Sequence, residues 1–488
     1  MRLEAVEVRG AVAENGQPKA GIEEVAYALG IRVLAGRRLK APGYYGAYLG
    51  EPDLTKLTRV VRAGLRAAHE RALASAEQKA LAAGRFGPLG QSLWDTELAP
   101  VPVGRDTVGP VFGRDPRSVD PAGAVAAVVA ASKAAAGASA LIRFNLVAAQ
   151  TGFERQLFVS SEGADIDQTF ALTEGFVFAV AQGEESAQEF YETIGHQRGW
   201  EVIEVGADDG PLKFPGLVDL AVGLAREAAE VANAPPCPTS PGEVVAVTDP
   251  DFNALLCHEV IGHPTELDRA LKMETAYAGR SWFFRSFEDN ELGRPVASPL
   301  VTCFSDPALP GFGHYAYDDE GTPGRQVLLI EGGIFRGFMN SRQTAAVIKA
   351  EPNGHYKASG AAYVPLIRMS NTVFAAGDRD PQAIIAEVDH GYYLVGKRIP
   401  SIAESRENFR ISARKVYEIR NGRLERLYRN GGIAADTKDF LMSIDAVGND
   451  FRLFPIPNCG KGQPMQTKRM GNGGPTLRGR ARLTGEGR

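Results

Sequence analysis

Ala234-Pro235-Pro236-Cys237-Pro238-Thr239-Ser240-Pro241-Gly242 is a stretch through which no regular element can run. Each proline fixes its own φ and removes a backbone N–H, so prolines at this density neither continue a helix nor pair in a central strand. A boundary here separates residues 1–235, an expected N-terminal mixed α/β domain, from residues 236–488, an expected C-terminal β-rich domain. Immediately upstream, residues 217–231 have the texture of a helix. Further back, Leu54, Leu57, Val60, Val61, Leu65 and Ala68 recur at three- and four-residue spacing. They predict a helix over 53–83, with Asp53 at its start and Gly84 at its stop. Short apolar runs at 30–34 and 140–147 read as strands. Downstream the signals are hairpins. Runs 327–330 and 334–339 flank Gly332-Gly333, and Asn421-Gly422 turns the chain into 423–428. Phe409, Ile411, Ala413, Tyr417 and Ile419 share odd positions, as one face of a strand should. Gly471-Asn472-Gly473-Gly474-Pro475 reads as turn material. The expected class is α/β (α+β), with a large antiparallel sheet in the C-terminal part.

At 488 residues the chain is long enough for roughly two to four domains and for a core that needs no disulfide staple. With 44 % hydrophobic and 23 % charged residues it is ordinary globular material. A net charge of -5 argues against a dedicated nucleic-acid binder. Arg478, Arg480, Arg482 and Arg488 make the end locally basic, which reads as a solvated tail. Cys237, Cys257, Cys303 and Cys459 are too few for a disulfide framework, and reduced thiols or a metal ligand fit better. The first residues lack the apolar core of a signal peptide. Residues 122–142, mostly Ala and Val, include Lys133 and fit a packed helix better than a membrane span. A soluble, cytoplasmic protein is expected.

The chemistry concentrates in Cys257-His258-Glu259-Val260-Ile261-Gly262-His263-Pro264. It follows a strand-like run at 244–247 and a helix start at 249–251. Two His at i and i+4 lie about 40° apart around a helix and can meet one ion, whereas a spacing of five puts them about 140° apart. Either a π-type turn intervenes, or the helix ends at Gly262 and His263 swings back; Gly262 and Pro264 favour the second. Neutral imidazoles bind Zn²⁺, and with three protein ligands one coordination position stays open for water. Glu259, beside a ligand but not one itself, can act as general base on that water. The third ligand stays open here, with Glu266 and Asp268 near in sequence and Cys459 distant. Cys257 lies about 100° from His258 and reads as a small buried hydrophobe.

His-Glu-x-x-x-His followed by Glu266-Leu267-Asp268, with a late Cys459-Gly460-Lys461, resembles the TldD/PmbA metalloproteases. The segments at 317–323, 327–333, 368–372, 442–445 and 448–450 are similar too, in the order that family has them. The resemblance runs from about residue 21 to 475 and is specific after Val244. It implies a zinc site of His258, His263 and Cys459 with Glu259 as catalytic base, acting on unfolded or modified peptides. It also implies a homodimer, or a heterodimer with a metal-free TldE/PmbA-like relative; this chain is of the motif-bearing, TldD-like type. The usual Cys-Gly-Lys-x-Gly-Gln is one residue shorter here, at 459–463. The alternative is a non-catalytic peptide-binding partner subunit of such an assembly.

Weaker candidates remain. Asp318, Asp319 and Glu320 read as an exposed acidic turn. His314, Tyr315, Tyr317 and His355 could donate to an oxyanion. His69, His196 and His390 read as structural.

Overall fold

The computed structural model describes residues 1–86 and 95–486. The N-terminal part is one seven-stranded sheet: β1 (Arg2–Glu14), β2 (Gln17–Ala35), β3 (Ala41–Tyr48), β4 (Arg105–Val108), β5 (Ile142–Val159), β6 (Asp165–Gln182) and β7 (Ala187–His196). Its order is β3-β2-β1-β5-β6-β4, with β7 paired to β6. Its longest helices among the described residues are α1 (Leu57–Phe86), α2 (Pro121–Gly137) and α3 (Leu217–Ala232). Helix α2 is the packed alanine-rich helix expected. Ala124, Val128, Ala131 and Ala135 meet Ala221, Ala225 and Ala228 of α3 and Val147, Ala149 and Val177 of the sheet. Alanine is the strongest helix former, and its small side chain lets these backbones approach closely. Helix α1 starts later than expected, because Asp53 accepts the Gly50 N–H at 3.0 Å and belongs to a separate turn, Glu51–Leu54. Nor does Gly84 stop it; the helix continues to Phe86.

Between α3 and the next strand the proline-rich stretch is irregular, apart from isolated bridges. The C-terminal part holds β8 (Glu243–Thr248), α4 (Pro250–Cys257), β9 (Cys303–Ser305), β10 (Val327–Glu331), β11 (Ile334–Phe335), β12 (Asn371–Phe374), β13 (His390–Ile402), β14 (Asn408–Arg420), β15 (Arg423–Tyr428), β16 (Gly432–Asp436), β17 (Ala446–Val447), β18 (Arg452–Lys461), β19 (Gln466–Gly474) and β20 (Leu477–Thr484). One sheet runs β8-β13-β14-β16-β20-β17; β8 also pairs β20, so its strands close on themselves, and β15 hangs on β14. The other runs β11-β10-β9-β12-β19-β18, leaving β18 at its edge. Both are mainly antiparallel, with parallel pairs β8–β13 and β12–β19. The two expected hairpin turns form, with positive φ at Gly332 (55), Gly333 (80), Asn421 (48) and Gly422 (74). Within β14, Phe409, Ile411, Ala413 and Ile419 are buried as expected, but Val416 is buried in place of Tyr417.

Three expectations are corrected. The basic end is no free tail: Arg478, Arg480 and Arg482 lie in β20, paired with β8, while Arg488 is outside the described residues. Residues 471–474 are not a turn but strand β19. Their glycines serve close packing, since a Cβ on Gly471 would meet Asn371 Oδ1 at 2.2 Å and one on Gly473 the Arg452 carbonyl at 2.2 Å. The acidic run is buried, with Asp318, Asp319 and Glu320 exposed by 3, 7 and 8 %.

Those carboxylates tie the two parts of the chain together. Asp319 bridges Arg2 of β1 and Lys357, both at 2.6 Å, and Glu320 pairs with Arg32 of β2 at 2.9 Å. Asp318 accepts the N–H groups of Glu320 and Thr322 instead. Burial alone would raise the Asp319 pKa, but Lys357 and Arg2 hold it down at about 2. A carboxylate depressed in this way contributes stability that is complete above its ordinary 3.8 and is lost as pH falls through about 2. Asp319→Asn is therefore expected to lower unfolding free energy near neutrality by about 2 kcal/mol and to flatten the acid limb of stability. Denaturant titrations across pH measure both. No helix among the described residues is long and apolar enough to cross a membrane.

Candidate metal centre

Helix α4 begins where Asp249 accepts the Phe252 N–H at 2.8 Å, a normal N-cap. It ends in an unusual way. After Cys257 the backbone widens into a π turn, His258–Gly262, then tightens into a single 3₁₀ turn at His263–Thr265. The His263 N–H donates to the His258 carbonyl, an i→i+5 bond that brings residue 263 back toward the azimuth of residue 258. Of the two geometries open to the sequence, the intervening π turn is the one formed, not a swing back from a helix end. The surroundings explain why. Pro264 has no N–H to donate, and carbonyls left short of partners are satisfied by side chains. Arg406 Nη1 donates to the Glu259 carbonyl at 3.0 Å and Trp282 Nε1 to Val260 at 3.1 Å. The Thr265 hydroxyl reaches the carbonyls of Ile261 and Gly262 at 2.8 and 2.9 Å. A Cβ on Gly262 would lie 2.0 Å from Met369 Sδ, so only glycine fits this turn unchanged.

The turn sets the two imidazoles edge to face, ring centroids 4.7 Å apart. Cys459, on edge strand β18, completes a buried cluster in which one donor atom each from His258, His263 and Cys459 lies within 4.8 Å of the others. Cys459 Sγ is 3.3 Å from His263 Nε2, close to the about 3.5 Å expected between two ligands of a tetrahedral zinc ion. Both histidines are oriented from behind. His258 Nδ1 meets Asn472 Oδ1 at 2.8 Å, and Asn472 Nδ2 donates to the Thr372 carbonyl at 2.9 Å, which fixes the amide's orientation. His263 Nδ1 meets Glu266 Oε2 at 3.1 Å. Each Nδ1–H thus has an acceptor, leaving each Nε2 available to an ion.

Glu266 and Asp268, weighed as ligands because they are near in sequence, sit behind His263 instead. Arg269 Nε and Lys461 Nζ reach Glu266 Oε2 at 2.9 and 3.1 Å, and Lys461 also reaches Asp268 at 2.7 Å. Burial would raise the Glu266 pKa, but Lys461, His263 and Arg269 hold it well below the usual carboxylate range. Burial would likewise raise the Cys459 thiol, yet His263, His258 and Arg368 pull it far below its ordinary value, while the thiolate pushes His258 up to about 9. Without an ion, the His258 proton balances the Cys459 thiolate; a divalent cation held by the thiolate and the two Nε2 atoms would take that proton's place, and the donor set of one thiolate and two imidazoles fits one. Cys257 is fully buried, with its thiol driven up by burial, the inert role expected.

Glu259 projects beside the cluster, its side chain 15 % exposed and paired with Arg406. Burial opposes ionisation there, but Arg406, His258 and His263 more than offset it and lower the pKa. Arg406 is itself buried and sits at φ 64, a left-handed backbone disfavoured for arginine, secured where Thr437 Oγ1 donates to its carbonyl at 2.7 Å. Neither Arg406 nor Asn472 stood out in the sequence. Asn472 hid in a glycine-rich segment and Arg406 in a short turn between strands.

The oxyanion candidates hold other bonds. Tyr315 donates to the Gly354 carbonyl, Tyr317 pairs with Asp106, and His355 is wrapped by Asn353 and Ser305. His314 contacts the Pro307 carbonyl through Nδ1. His196 pairs with Asp209, His390 with Glu418, and His69 is exposed.

Residues 241–481 match the PmbA/TldA metallopeptidase C-terminal domain. A Methanothermobacter thermautotrophicus protein named as a metalloprotease is 30 % identical over 328 residues, covering 67 % of this chain and 66 % of the relative. A zinc metalloprotease TldD homolog of Saccharolobus solfataricus is 29 % identical over 239 residues, 49 % of this chain and 50 % of its own length. The crystal structure of TldE from Thermococcus kodakarensis shares the fold, with a TM-score of 0.68 over 98 % of this chain and 95 % of that one at 18 % identity.

Proposed function

The chain belongs to the TldD/PmbA family, and from that premise we propose that it is a zinc metallopeptidase cleaving unfolded or modified peptides. The observation that carries the proposal is the convergence of His258, His263 and Cys459 with an ionised Glu259 beside them. These three residues would hold zinc. When bound, zinc would polarise the scissile carbonyl and make water acidic enough to attack near neutral pH. Glu259 accepts the proton from the attacking water and returns it to the leaving amine nitrogen. Asn472 and Glu266 keep the imidazoles aimed, and Arg406 fixes the carboxylate of the base. An extended peptide laid along edge strand β18 would pass beside Cys459, a placement suited to sequence-tolerant binding through the main chain. The intact donor set favours catalysis over the role of a non-catalytic partner. Assembly with a second copy or a metal-free relative, in the cytoplasm, belongs to the same reading.

The test is incubation of the zinc-loaded chain, alone and with a metal-free relative, with unstructured peptides, reading new termini by mass spectrometry. Cleavage abolished by chelation and restored by zinc is expected; intact peptides under every condition would overturn the reading. Arg406→Ala should lower kcat about 10–100-fold, the range seen when a group orienting catalytic residues is removed, with KM near wild type and zinc content falling far less than in a ligand variant, since Trp282 and Thr265 still support the turn. Arg406→Lys should recover part of the rate.

A further inference from the structure

A cavity of about 380 Å³ lies between the β18–β19 ribbon and the N-terminal sheet. It abuts the strand pair that carries Cys459. Its wall includes Asn458, the residue before Cys459, and Lys468, the residue paired with Cys459 across the ribbon. Facing them are the rings of Phe170, Phe176 and Phe312. The volume falls in the ordinary range for a small-ligand pocket, and the wall is largely polar and charged around those rings.

The charges in the wall are unequal in their pairing. Lys357 is held by Asp319 at 2.6 Å and Arg469 by Glu174 at 3.1 Å. Glu154 accepts a hydrogen bond from Gln156. Among the described residues, no carboxylate oxygen comes within ion-pairing distance of the Lys468 amino group; Glu154, Asp319 and Glu4 act on it only from further away. A half-buried amine with no ion pair of its own gains from an anion brought within hydrogen-bond distance.

We propose that this cavity is a specificity pocket for a carboxylate-bearing residue of the peptide, with its apolar body against Phe170, Phe176 and Phe312 and its carboxylate on Lys468. The carboxylate is either the peptide's C-terminus or an acidic side chain. The inference rests on the peptidase reading for what the ligand is, but its test needs no cleavage.

Binding is measured by fluorescence anisotropy with the full-length, zinc-loaded Glu259→Gln chain. One pair of labelled unstructured peptides ends in Phe as the free acid or the amide; a second pair, both amides, carries Glu or Gln at the penultimate position. At least one carboxylate peptide should bind about tenfold tighter than its neutral twin, the size of a charge-assisted hydrogen bond. Which pair shows the preference identifies its source. The ratio should fall to near one in Lys468→Met and Lys468→Gln and persist in Lys468→Arg. Equal binding within both pairs, or a ratio that survives loss of the lysine charge, overturns the proposal. A failure of the peptidase reading would register separately, as absent cleavage by the wild type.

Discussion

Glu259→Gln is expected to keep about one zinc per chain and to lower peptide cleavage about 10²–10⁴-fold, the range for removing a general base. The substitution isolates proton transfer. Glutamine has the same length and can still accept from Arg406, so the guanidinium keeps a partner and the π turn its Arg406–carbonyl bond. None of the three clustered donor atoms is touched. What disappears is a carboxylate that Arg406, His258 and His263 keep ionised despite burial. The decisive comparison is single-turnover cleavage with metal content measured on the same sample. A variant that loses both metal and activity would mean that Glu259 supports the site's structure. One that keeps both would place the proton acceptor elsewhere and remove the basis for the mechanism.

How much was legible in advance depended on the range of the interactions involved. Features set by neighbouring residues were readable: the Asp249 start of α4, the hairpins at Gly332-Gly333 and Asn421-Gly422, and the alanine face of α2. Features decided by distant partners were not. Asp319 looks like a solvent-exposed acid until Arg2 and Lys357, far away in sequence, enclose it. Gly471 and Gly473 look like a turn until strands β12 and β18 pack against them. The candidate site divides the same way. His258, Glu259 and His263 stand in one short motif, whereas Cys459, one of three residues left open as third ligand, was singled out only by the family resemblance. Even the motif's geometry was settled from outside, because the carbonyls that a π turn leaves open find Arg406, Trp282 and Thr265, and no local spacing rule contains those partners.

Elemental analysis of the purified chain is expected to find about one zinc in the wild type and close to none in His263→Ala or Cys459→Ala. Losing either donor leaves two protein ligands, too few to hold the ion against water and competing chelators. The two variants fail for different electrostatic reasons. Without Cys459 the site loses its anionic ligand, and two neutral imidazoles offer a dication little charge compensation. Without His263, Glu266 loses its imidazole partner but keeps Arg269 and Lys461, so the network behind the site survives and the fold should persist. Asn472→Ala provides the graded control. It leaves all three donors in place and frees only the His258 ring, so affinity should fall about 10–100-fold rather than vanish. Zinc retained at full stoichiometry by both ligand variants would place the metal elsewhere and overturn the three-residue site. A wild type that takes up no zinc even after reconstitution would leave a thiolate–imidazole cluster with no hydrolytic role, and the chain would then be better understood as a peptide-binding subunit.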